Sequence, residues 1–153
     1  MELQDIGVKM IGDVTVKRFD EAGALVEERQ IKNLVVSVGK TYIANRMQAN
    51  SVQTAMNTMA IGTSSATPAV GNTTLGIEAG RVPLASFSSS GNQVTATASF
   101  PAGTGTGAIT EAGIFNPATA GNSGGNMLCR TTFPVVNKAA GDSIAVTWVI
   151  TVS

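Results

Sequence analysis

A chain of 153 residues is long enough to bury one sizeable core and short for two domains of ordinary size. Ten basic side chains cancel ten acidic ones, and with no basic stripe or polybasic patch neither nucleic acid nor a membrane surface is an expected partner. The absence of histidine and the single cysteine, Cys129, exclude an internal disulfide, a Cys–His dyad and a zinc cage built with histidine.

The opening MELQDIGVKMIGDV carries acids where a secretory leader needs basic residues before an apolar stretch, and no run of about 18 apolar residues occurs. The expectation is a soluble chain made in the cytosol. Residues 1–12 fit either an arm that reaches a neighbour or the first strand of a sheet. DVTVKRF (13–19) and ALVEERQI (24–31) flank DEAG, whose Gly23 suits a hairpin bend.

Asn33-Leu-Val-Val then leads into SVGKTYIANRM, where Val38, Tyr42, Ile43, Arg46 and Met47 fit a helical repeat over about 38–48. Gly39-Lys40-Thr41 resembles the end of a phosphate-binding loop, but Leu34 stands where that loop needs its first glycine. The β-branched Val35, Val36 and Val38 resist its open path. The segment is therefore expected to turn the chain at Asn33 or Ser37, to pack closely at Gly39 and to leave Lys40 in solvent.

From Asn57 the period falls to two. MAIG (59–62) is a short strand, TSSATPAVGNTT (63–74) a loop, and LGIEAGR (75–81) a helical turn. RVPLASFS (81–88), QVTATASF (93–100), AITEAGIF (108–115), NMLCRTTF (126–133) and SIAVTWVITVS (143–153) are strands. They are separated by SSGN, PAGTGTG and NPATAGNSGG. In the last strand Ile144, Val146, Trp148, Ile150 and Val152 share one face, with Trp148 as its anchor, while the other face is thinly polar and open to cover by a neighbouring chain. The fold class is mainly β: an antiparallel β-sandwich of jelly-roll type over residues 1–153, with one short helix.

Charge is unevenly placed: residues 1–50 hold seven basic and seven acidic side chains, leaving three of each for residues 51–153. In that second part Glu78 and Glu111 are the carboxylates to weigh as an acid–base pair, with Asp142 as a third. Arg81, three residues after Glu78, and Arg130, inside an apolar strand, supply two cations for two acids, so buried ion pairs are the simpler account. Six of the seven aromatics lie in strand-like runs and Tyr42 on the helix, so all are expected in the core; Met47, Met56 and Met59 are expected to fill gaps there. No cofactor or metal is implied.

The ordered series NLVVSVGKTYIANRM, MAIGTSSATPAVGNTTLGIEAGR, GAITEAGIFN and MLCRTTFPVVNKAAGDSIAVTWVITVS resembles small virion structural proteins of tailed bacteriophages over about residues 31–153. Departures are Ser64, where glycine is common, and the long SSGN turn, both in loops. The resemblance implies a non-enzymatic, β-rich virion component with no catalytic residues. That component is either a capsid decoration (cement) protein or a piece of the tail, and the resemblance does not decide between them. The absent histidine, neutral balance, aromatic-poor surface and small-residue strand faces put first a cement protein bound to the major capsid protein and to copies of itself, as a homotrimer or homodimer, assembled in the host cytoplasm. A tail fibre, tail adaptor or baseplate subunit is the alternative. Glu78, Arg81, Glu111 and Arg130 carry over only as positions of the motif.

Overall fold

The computed structural model describes residues 7–48, 53–116 and 125–153. Strands β1 (Met10–Phe19), β2 (Leu25–Lys32) and β3 (Leu34–Val35) precede helix α1 (Ser37–Arg46). After it come β4 (Thr58–Gly62), β5 (Glu78–Pro83), β6 (Ser86–Ser90), β7 (Gln93–Phe100), β8 (Gly107–Asn116), β9 (Asn126–Lys138) and β10 (Ser143–Val152). Antiparallel pairing gives two five-stranded sheets, the first in the order β2-β1-β10-β7-β6 and the second in the order β3-β9-β8-β4-β5. The described residues are thus mainly β, a sandwich with one short helix; these strand orders leave the narrower jelly-roll label an expectation.

Side-chain alternation builds the core. In β10, Ile144, Val146, Trp148 and Ile150 are buried, whereas Ala145, Thr147 and Val149 between them are half-buried or exposed. Trp148 lies in register between Val14 of β1 and Ala96 of β7, where the small alanine leaves width for the indole. Met59, Ile61, Ala112, Ile114, Cys129 and Phe133 of the second sheet close the same cluster. Each large aliphatic or aromatic group so covered contributes roughly 1.5–3 kcal/mol.

The second sheet also buries part of its other face. Ala60, Phe115 and Met127 pack there against Val36 and Leu75, so the 63–77 segment lies over that face as a cover. Helix α1 is seated against β9: a Cβ at Gly39 would come 2.0 Å from the Leu128 carbonyl oxygen, so only glycine lets the helix approach this closely.

Several expectations are corrected. LGIEAGR forms no helical turn, because Glu78 already starts β5 beside β4. RVPLASFS is two strands, since Leu84 and Ala85 carry the chain from one sheet to the other. NMLCRTTF continues to Lys138, its ladder with β8 interrupted by register shifts. The helix itself begins at Ser37 with Val36 at its N-cap, and the Ser37 N–H donates to the Val70 carbonyl at 2.7 Å.

Met47 and Phe87 are not core residues, being 84% and 40% exposed, the first past the helix end and the second on a sheet edge. Met10–Gly12 belong to β1, and residues 1–6 of the segment weighed as an arm lie outside the described residues, as do 117–124 of the NPATAGNSGG loop.

Candidate functional site

The three acids and three bases of residues 51–153 are all taken into structure. Glu78 opens β5 at an irregularity: Gly62 pairs with Glu78 but Ile61 pairs with Gly80, so Ala79 is extra. In a regular strand residues i and i+3 point to opposite faces; the extra residue brings Glu78 and Arg81 to the same one. There the Arg81 Nε donates to Glu78 Oε1 and Nη2 to Oε2, each at 2.8 Å, with the guanidinium 4.0 Å from the centre of the Phe115 ring.

Glu111, fully buried on β8, is the hub of the same face. Its Oε1 accepts the Ile77 N–H at 2.8 Å and the Ser64 N–H at 3.2 Å; its Oε2 accepts the Gly76 N–H at 2.9 Å and Arg130 Nε at 3.0 Å. Arg130 Nη2 adds an ionic contact at 2.8 Å, out of line for a hydrogen bond, and Nη1 donates to Asn72 Oδ1 at 3.0 Å. A Cβ at Gly62 would fall 2.5 Å from Glu111 Oε1 and 2.3 Å from the Ile77 carbonyl oxygen, so the glycine leaves the carboxylate its room. The carboxylate thereby meets three backbone donors of the 63–77 segment and one guanidinium, and the segment is pinned over the sheet.

The third pair joins the sheets. Asp142 Oδ2 accepts the Ala139 N–H at 2.8 Å and Arg18 Nη1 at 2.8 Å, and those two contacts, the backbone one first, hold its carboxyl below the ordinary value of 3.8. Lys138, 2% exposed, donates to the Pro101 carbonyl at 2.9 Å; burial pushes its ammonium below the ordinary lysine value, with Asp142 opposing. Burial likewise pushes the Cys129 thiol up to about 12, which leaves it unreactive in the folded chain.

Glu78 and Glu111 share a face, but each has both oxygens engaged by donors. The 63–77 segment's part in this network was missed in the sequence, where only its glycines and Asn72 hinted at close backbone approach. Among the described residues no group of three or more His, Cys, Asp or Glu side chains is arranged to hold a metal ion.

With those six charges bonded away, the outward face of the first sheet is left to short neutral side chains. Across β1, β10, β7 and β6 a row of hydroxyls runs Thr15, Thr147, Thr97, Ser86, with the last two oxygens 2.6 Å apart. The neighbouring row runs Asp13, Val149, Thr95, Ser88, and on β10, β7 and β6 the whole face carries no charged residue. Charge returns only toward β2, where Lys32 bonds Asp13 and Glu28 stands opposite Lys17.

Compared with known proteins, the sequence matches no family model and no curated protein, and the fold matches no solved structure.

Proposed function

We propose that this chain is a non-enzymatic structural protein of a bacteriophage particle, a capsid decoration protein that docks on the outside of the major capsid protein lattice together with copies of itself. The observation that carries the reading is the charge-free outward face of β6, β7 and β10, a broad surface of serine, threonine, alanine and valine with Gln93 at its margin. Such a face gives up little charge hydration when covered, and its short side chains lose little rotamer freedom.

Docking stabilises a shell by mass action. A copy that binds assembled capsid subunits and not dispersed ones adds its binding free energy to the assembled state. Several weak contacts around a symmetry axis combine into strong attachment. No bond is made or broken, and no cofactor takes part.

The test is the copy number of this chain in purified particles, read by quantitative mass spectrometry. The expected result is on the order of hundreds of copies, as a decorated lattice requires. A few to tens of copies would move the chain to the tail, and absence from particles would overturn the reading.

A further inference from the structure

The two sheets have four edges, and three are protected. β2 (LVEERQIK) is rich in charge and ties back to the second sheet, its Arg29 donating to the Pro134 and Val135 carbonyls at 3.3 and 3.0 Å. β3 is two residues long. β5 ends in Pro83 and is approached from the 101–106 loop: a Cβ at Gly80 would meet the Gly105 nitrogen at 2.8 Å. Charge, brevity, proline and a covering loop are the usual devices that keep a sheet edge from pairing with another chain.

Among the described residues β6 has none of them. Its sequence, SFSSS, has no charge and no proline, and all five residues are exposed. The hairpin to β7 closes Ser90 on Gln93 through Gly91-Asn92, with φ of +57° at Gly91, the pattern of a two-residue turn with glycine first. Such a turn closes on a hydrogen-bonded pair. Alternation then directs the backbone groups of Ser90, Ser88 and Ser86 to β7, and those of Phe87 and Ser89 outward.

We propose that β6 is an interface to a second copy of this chain, the two β6 strands pairing antiparallel about a two-fold axis at Ser88. The segment is nearly symmetric about that residue, so Ser86 of each copy faces Ser90 of the other and Phe87 faces Ser89. The outward N–H and C=O groups of Phe87 and Ser89 then meet each other across the seam. The two Phe87 rings, each 40% exposed in the single chain, lie on the diagonal where aromatic side chains reach one another. No charge opposes the pairing, and the neutral outward face of β7 and β10 continues across it. The inference rests on the self-association in the reading above and not on the particle.

The experiment uses the purified chain of 153 residues. Sedimentation across a dilution series is expected to show a mass rising from one copy to two. Ser89→Pro, which removes an outward N–H, and Ser89→Lys, which charges the seam, are expected to hold the chain at one copy while it still melts cooperatively. The second variant serves if the first does not fold.

Ser88 residues facing across the axis would form a non-hydrogen-bonded pair about 4.5 Å apart at Cα, within disulfide range. Under mild oxidation Ser88→Cys is therefore expected to crosslink at least about tenfold faster than Thr147→Cys on the open face; the buried Cys129 does not compete. Equal crosslinking rates, or a dimer that survives both Ser89 variants, would overturn the proposal. A chain absent from particles but linked through Ser88 would leave it standing and remove only the particle.

Discussion

The outward faces of the two sheets are treated in opposite ways. The second sheet carries Glu78, Arg81, Glu111 and Arg130 and covers them with the 63–77 segment, so its charges hold the protein's own chain. The first sheet carries short neutral side chains on β6, β7 and β10, and among the described residues nothing from its own chain lies over them. A buried ion pair is costly to desolvate and severe to break, which makes it a device for fixing one arrangement; an open neutral face costs little to cover, which suits transient or reversible contact. The difference lies in where the fold has committed its polar groups.

The shared core sets the scale for both faces. Trp148→Ala is expected to cost about 3–5 kcal/mol, because the indole fills the space between Val14 and Ala96 and the surrounding strands cannot collapse into it. Denaturant unfolding measures this, and a loss below about 1 kcal/mol would mean that the interior does not depend on the indole. On the second sheet Glu111→Gln is expected to cost about 3 kcal/mol, since it leaves Arg130 buried without a counter-charge. With Arg130→Met added, the two losses should fall short of additive by at least about 0.5 kcal/mol; strict additivity would deny that the two residues form one unit.

Strand alternation and turn residues made most of the fold legible. SIAVTWVITVS shows its buried face from Ile144 to Ile150, failing only at the exposed Val152 near its end, and DEAG and SSGN mark hairpins at their glycines. What failed was local sequence that tertiary contact overrides. LGIEAG has the look of a helical turn, but its backbone N–H groups are claimed by a carboxylate 34 and 35 residues further on. RVPLASFS has one uninterrupted pattern yet must cross between sheets at Leu84-Ala85, a break that no period announces.

At the candidate site, opposite charges in apolar strands pointed to the type of contact but not to its geometry. The extra residue that brings Glu78 beside Arg81 becomes visible only in the register of β4 against β5. The openness of β6 is a property of what the other edges have, so it could be seen only once all four were placed.

The sharpest contrast comes from the smallest expected effect. Thr147 is exposed at the middle of the first sheet's outward face, with Thr15 and Thr97 beside it and no charged partner in its row. Thr147→Lys should change the stability of the isolated chain by less than about 0.5 kcal/mol, because the ammonium stays in water and the strand keeps its inward side chains. Yet if this face docks, the same substitution forces a buried, unpaired cation into the contact and should remove the chain from particles. Denaturant midpoint and particle content, measured on one variant, therefore separate folding from docking. Normal incorporation with unchanged stability would mean that the partner is met elsewhere, and a large loss of stability would mean that the face is already part of the fold.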